Sequence, residues 1–159
     1  MTKYWIGVAS HEHVQKAITG GFTQVCHGKI GTLKYMSAGD GLIYYSPTFS
    51  FGGKDKCRCF TALGTVDPGE PYTFEMSHDF IPWRRNVTFL KSKEVPIEPL
   101  LDQLSFIKDK KRWGFPFKRG SFEIPRADFE LIAKNMGLIL RVIQNREMSR
   151  RGTRHLSQA

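Results

Sequence analysis

Cysteine is scarce: the chain of 159 residues has three, Cys26, Cys57 and Cys59. An odd count cannot close a disulfide framework, and a chain this long builds a core without one, so these are expected to be reduced thiols. Long apolar runs are missing as well. No stretch approaches the ~20 residues that cross a bilayer. The opening Met1-Thr2-Lys3-Tyr4-Trp5 lacks the charged-then-apolar pattern of a leader, so a cytoplasmic chain with no membrane partner is expected. Acid is in short supply. Fifteen Asp and Glu face 24 Lys and Arg, giving net charge +9 and a pI near 9.6. That balance points to an anionic partner, with nucleic acid first among the candidates. There is no HExxH helix, no phosphate-cradling glycine loop and no dinucleotide fingerprint, so neither a metal nor another cofactor is expected. Internal repeats and linkers are absent too. One domain over 1–148 is expected, followed by a basic disordered tail over 149–159. Beyond Gly137, Arg141, Arg146, Arg150, Arg151 and Arg154 face only Glu147, so net +4 of the +9 lies there.

What the chain does have is rings beside cations. Phe80-Ile81-Pro82-Trp83-Arg84-Arg85 is one such segment, and Lys110-Lys111-Arg112-Trp113-Gly114-Phe115-Pro116-Phe117-Lys118-Arg119 is the other. A flat π-face next to fixed positive charge suits a stacked base with its phosphate alongside. The plain alternative puts the rings in the core and the charges on a solvated rim.

Local patterns give an element order. Tyr4 to Ala9 alternates as a strand, with small Gly7 and Ala9 on the Trp5 face. Ser10 suits the N-cap of a helix over His11 to Ile18, stopped by Gly20-Gly21. Phe22 to Val25 alternates briefly, Ile30 to Met36 suits a helical turn or two, and Gly39-Asp40-Gly41 is a turn feeding a strand over Leu42 to Ser46. A loop over Pro47 to Asp55 leads to a strand over Cys57 to Val66, and Asp67-Pro68-Gly69 turns the chain. Further strands are expected over Tyr72 to Met76, Pro82 to Leu90 and Ser121 to Ile124. A short helix is expected over Pro99 to Leu104, a basic loop over Phe106 to Phe117, and a last helix from Pro125 to Gly137. A further turn is expected over Leu138 to Ile143. The sum is a mainly antiparallel α+β barrel of five or six strands, flanked by two to four helices.

Catalytic groupings are thin. Cys26-His27 invites a nucleophile reading, but neighbours in an extended segment point to opposite sides, and no protease signature surrounds them. Cys57 and Cys59 fall on one strand face and read as small inner-face side chains, since zinc would need two more ligands at usable spacing. Asp40, Glu70, Glu75 and Asp79 form no carboxylate pair.

Taken in order, these segments resemble a known family. Tyr4-Trp5-Ile6-Gly7-Val8-Ala9-Ser10 resembles the opening strand of EVE-domain proteins, a branch of the PUA-like superfamily. Gly39-Asp40 with Tyr44-Tyr45-Ser46-Pro47, Phe60 to Val66, Pro82-Trp83-Arg84-Arg85 and Trp113 to Phe117 extend the resemblance from Met1 to about Gly137. The resemblance places the chain among the short stand-alone bacterial members. The fold is similar to that of YTH domains, which hold a methylated base in an aromatic cage. The resemblance therefore implies a non-catalytic reader of a modified nucleobase in DNA or RNA. Its base pocket would be bounded by Ser10, Cys26, His27, Gly28, Lys29, Tyr45, Ser46, Pro47, Trp83 and Trp113. Arg84, Arg85, Lys111, Arg112, Lys118 and Arg119 would hold the flanking phosphates. Many relatives carry a tryptophan where this chain has Cys26-His27; either His27 supplies that wall or the cage has one fewer. Two other classes stay open: an enzyme acting on a nucleobase or small nucleotide through the Cys26/His27 loop, and a protein-interaction adaptor with a basic face.

Overall fold

The structure, a computed structural model, describes residues 1–138. The expected basic tail and the part of the expected Leu138 to Ile143 turn beyond Leu138 lie outside the described residues.

Eight strands and two helices carry the fold: β1 (Tyr4–Val8), α1 (His11–Gly20), β2 (Phe22–Thr23), β3 (Gly41–Thr48), β4 (Lys56–Val66), β5 (Tyr72–Thr73), β6 (Trp83–Leu90), β7 (Val95–Pro96), β8 (Ser121–Ile124) and α2 (Arg126–Asn135). The main sheet order is β2-β6-β4-β3-β1-β8, with β5 paired to β6 and β7 to β4. Every pairing is antiparallel except β1 with β3, which run parallel with Ile6 opposite Ile43. The result is a curled mixed sheet, a half-barrel with a helix on each face.

Burial on both faces explains the unbroken apolar run at Leu42 to Tyr45. Ile6, Ile43 and Leu63 join Phe129, Ile132 and Ala133 of α2 in one cluster. Trp5, Leu42, Tyr44 and Ala62 join Val14 and Ala17 of α1 in the other. Asp40 ties the starts of β1 and β3 together. Its buried carboxylate accepts from the Lys3 backbone N–H at 3.0 Å, Trp5 Nε1–H at 3.0 Å and the Ser37 N–H at 2.9 Å.

Several expectations shift. The strand expected over Tyr72 to Met76 pairs only at Tyr72–Thr73, and the helix expected over Pro99 to Leu104 is a single 3-10 turn, Glu98–Leu100. The Cys57 and Cys59 side chains are half-buried rather than inward. Arg58 between them sits at φ 52, and the β3–β4 register slips nearby, so the strand does not keep strict alternation there. No helix among the described residues is long and apolar enough to cross a membrane.

Candidate functional site

The two ends of the sheet path are brought together by the segments beside them. The chain leaving β2 crosses to the chain entering β8, where Cys26 Sγ–H donates to the Arg119 carbonyl at 3.8 Å and Thr32 Oγ1–H to Ser121 Oγ at 2.7 Å. The Val8 N–H donates to the Gly120 carbonyl at 2.8 Å, anchoring that segment to β1. A cleft of about 750 Å³ opens beside this seam. Val8, Ala9, Ser10 and His13 line it from the β1–α1 junction, and Gln24 to Lys29 from the chain after β2. Pro47, Thr48, Phe51 and Gly52 come from the β3–β4 connection, Phe80 from the β5–β6 hairpin, and Phe117 to Gly120 from the turn before β8.

The Cys26-His27 loop is not extended. Cys26 and His27 both adopt left-handed backbone, at φ 53 and 56, and Gly28 follows at φ 81. Two consecutive non-glycine residues there cost roughly 1–3 kcal/mol each, so neighbours must hold the loop in place. The Gly28 N–H donates to the Val25 carbonyl at 3.0 Å and the Lys29 N–H to the Cys26 carbonyl at 3.2 Å. A Cβ on Gly28 would lie 2.6 Å from Pro82 Cβ, so the hairpin closes directly onto the loop. The loop turns His27 edge-on to Phe51, with ring centroids 6.1 Å apart. Phe51 is 83% exposed and Phe80 39%. Three exposed rings thus reach the cleft from three different segments, beside the buried Phe117 and the half-buried His13. Among the described residues its charged side chains are Lys29, Lys118 and Arg119, and no carboxylate lines it.

Two titratable groups in the cleft are displaced. Burial pushes the Cys26 thiol up, against the pull of Lys29. Burial, with the charges of Arg84 and Lys16, holds His13 below its ordinary 6.5, while a hydrogen bond with the Gln24 backbone works the other way. His13 Nε2 is buried and has no hydrogen-bond partner among the described residues. Gln24 is anchored three times: its backbone N–H donates to Tyr44 Oη at 3.2 Å, its carbonyl accepts from Tyr44 Oη–H at 3.3 Å, and its side-chain Oε1 accepts from Arg84 Nε–H at 3.0 Å. Tyr44 is fully buried and its phenol is pushed up to about 12.

The structure brings Ser10, Cys26, His27, Gly28, Lys29 and Pro47 together with Lys118 and Arg119. It sets the other expected residues elsewhere. Tyr45 and Trp113 line a second cleft of about 520 Å³, which shares Val8, Pro47, Thr48, Phe117 and Lys118 with the first. There Tyr45 is buried edge-on to Trp113, and Arg58 lies 5.5 Å from the Trp113 ring. Ser46 is fully buried with its hydroxyl 2.8 Å from that of Thr61, so it faces neither cleft. Trp83 lines neither cleft; it is half-buried against the cluster beneath α1. Lys111 and Arg112 are exposed but outside both clefts, their backbone N–H groups donating to Asp109.

The expected phosphate role of Arg84 and Arg85 is corrected. Both are buried, at 8% and 5% exposure. The Arg84 guanidinium lies between the Phe22 and Phe74 rings, 3.8 and 4.0 Å from their centroids. Arg85 donates to the Met36 carbonyl at 2.6 Å and the Leu33 carbonyl at 3.5 Å. Their charges serve internal carbonyls and rings, not a rim. Sequence reasoning also missed His13, Gln24 and Phe51. Phe80, which lines the cleft, lies in the first aromatic-basic segment, three residues before Trp83.

The curled mixed half-barrel is a PUA-like fold. The chain belongs to the EVE domain family, whose model matches residues 3–135. A UPF0310 protein of Mesorhizobium japonicum, msl3206, is 48% identical over 139 residues, 86% of this chain and 93% of that protein. The UPF0310 protein YdcG of Bacillus subtilis is 42% identical over 137 residues, 86% of this chain and 94% of its own. Among solved structures, Atu2648 of Agrobacterium tumefaciens shares the fold with TM-score 0.55 at 9% identity, covering 86% of this chain and 94% of its own. A hypothetical protein from Leishmania major does so with TM-score 0.54 at 13% identity, covering 92% and 98%.

Proposed function

We propose that the seam cleft receives one modified nucleobase turned out of a DNA or RNA strand, and that the protein reads this base without altering it. The observation that carries this reading is the composition of the cleft among the described residues: His27, Phe51 and Phe80 as exposed rings, Lys29, Lys118 and Arg119 as cations, and no carboxylate. Turning a base out of its stack costs a few kcal/mol, and each stacking ring returns about 1–3 kcal/mol. Two or three rings therefore suffice to hold it, while the cations face flanking phosphates and set affinity without sequence preference. In this reading the Cys26-His27 loop supplies one wall of the cage through His27, whose ring stands edge-on to Phe51.

The enzymatic alternative fares worse. A nucleophilic cysteine needs a lowered pKa, and burial raises that of Cys26, leaving a thiol bonded to the Arg119 carbonyl. Fluorescence anisotropy tests the proposal with DNA and RNA oligonucleotides, each carrying one methylated adenine, cytosine, guanine, thymine or uracil. At least one should bind about tenfold tighter than its unmodified counterpart, with log affinity falling linearly in log salt. Equal binding across the panel, or turnover of the base, would reject it.

A further inference from the structure

The side chains on the buried side of the cleft fix a hydrogen-bonding pattern that rings and cations do not explain. Gln24 lines the cleft at 7% exposure. Amide ends are ordinarily ambiguous, but here the neighbour decides. A guanidinium has only donors, so the Arg84 Nε–H bond at 3.0 Å identifies the facing Gln24 atom as oxygen. Arg84 is clamped between Phe22 and Phe74 and cannot swing away. The Gln24 NH₂ group is left without a partner among the described residues, free to donate into the cleft.

His13 supplies the complement. Its backbone N–H donates to the Ser10 N-cap hydroxyl at 3.3 Å, fixing the residue in the first turn of α1. The ring lines the same cleft, with Nε2 buried and unpartnered. Burial disfavours the imidazolium, so the ring is held in its neutral, single-proton form. With that proton on Nδ1, the buried and unpartnered Nε2 is an acceptor facing the cleft. A buried acceptor without a partner is costly in the empty protein and is satisfied by a ligand N–H.

Resting on the base-binding reading above, we infer that Gln24 and His13 form an edge reader: the Gln24 amide donates to an acceptor on the base, and His13 Nε2 accepts from the N–H beside it. The ligand class is then a base that keeps an N–H next to a ring nitrogen or carbonyl oxygen. An amino group that has lost its last hydrogen is rejected, whatever its stacking.

Calorimetric titration of the protein with free nucleosides tests this in matched pairs. The probes are N4-methylcytidine against N4,N4-dimethylcytidine, N6-methyladenosine against N6,N6-dimethyladenosine, uridine against 3-methyluridine, and guanosine. In each pair that binds, the blocked member should be about tenfold weaker or worse. Gln24→Glu keeps an oxygen against Arg84, so its melting temperature should hold, but its free end now accepts. Beside His13 that makes two acceptors, matching the paired N1–H and N2–H donors of guanine, so the variant's preference should move toward guanosine by about tenfold. Equal binding of blocked and unblocked partners, or a Gln24→Glu variant with unchanged preference, overturns the edge reader and leaves the base cleft standing. If no nucleoside binds at all, the base cleft itself fails and the edge reader with it.

Discussion

Two neighbouring arginines show how far residue type is from residue role. Arg84 and Arg85 read in sequence as a phosphate pair, yet both side chains turn inward to rings and carbonyls. Lys118, three residues before β8, stays exposed on the cleft rim. Replacing Arg85 with Met should cost about 1–3 kcal/mol in urea unfolding by stranding buried carbonyls, with the salt dependence of binding unchanged. Lys118→Ala should do the reverse, holding the melting temperature and reducing the salt slope by about 1. His13 adds a pH signature. Its folded-state pKa is lowered, so the unfolded chain takes up its proton first on acidification. The stability linked to it is complete above the ordinary 6.5 and is lost as pH falls from there toward the folded value. Melting temperature should therefore drop more steeply below about pH 6.5 in the parent protein than in His13→Phe.

Elements were more legible than their contacts. The Ser10 cap, the apolar strands and the Pro125 start of α2 follow from local chemistry and sit where the sequence sets them. Pairing is another matter. Alternation looks the same in parallel and antiparallel neighbours, so nothing in Tyr4 to Val8 announces its parallel run beside β3. The cleft's rings were half legible for a similar reason. The segment from Phe80 to Arg85 was flagged, but which ring faces the cleft depends on where β6 begins, and Trp83 is already in the strand. Phe51 carried no signal beyond its place in a glycine-containing loop. The left-handed loop at Cys26 to Gly28 belongs to this scale, and two glycines separate its strain from its packing. Gly52 has φ 68 with open space around it, while Gly28 has φ 81 and Pro82 at 2.6 Å from its added Cβ. Gly52→Ala should cost about 1 kcal/mol in chemical denaturation, from backbone strain alone. Gly28→Ala should cost more, and should also weaken ligand binding, because it forces the hairpin bearing Phe80 off the loop.

At the scale of the whole molecule, the curl of the sheet is what makes a site. Residues as distant in sequence as Ser10, Gln24, Phe51, Phe80 and Lys118 meet only because the segments flanking β2 and β8 close against each other. Net charge of +9 favours any polyanion, so affinity alone says little about what the cleft is for. Discrimination says much more. Phe51 is the ring that tests it most cleanly, because at 83% exposure its truncation spares the core. The decisive measurement is the affinity of the parent protein and of Phe51→Ala for the preferred modified oligonucleotide and its unmodified counterpart, at matched salt and with melting temperatures taken on the same samples. The account predicts a fully folded variant that loses about 1–3 kcal/mol of binding to the modified strand, and with it most of the discrimination, while binding the unmodified strand as before. A folded Phe51→Ala variant that discriminates as well as the parent would contradict it.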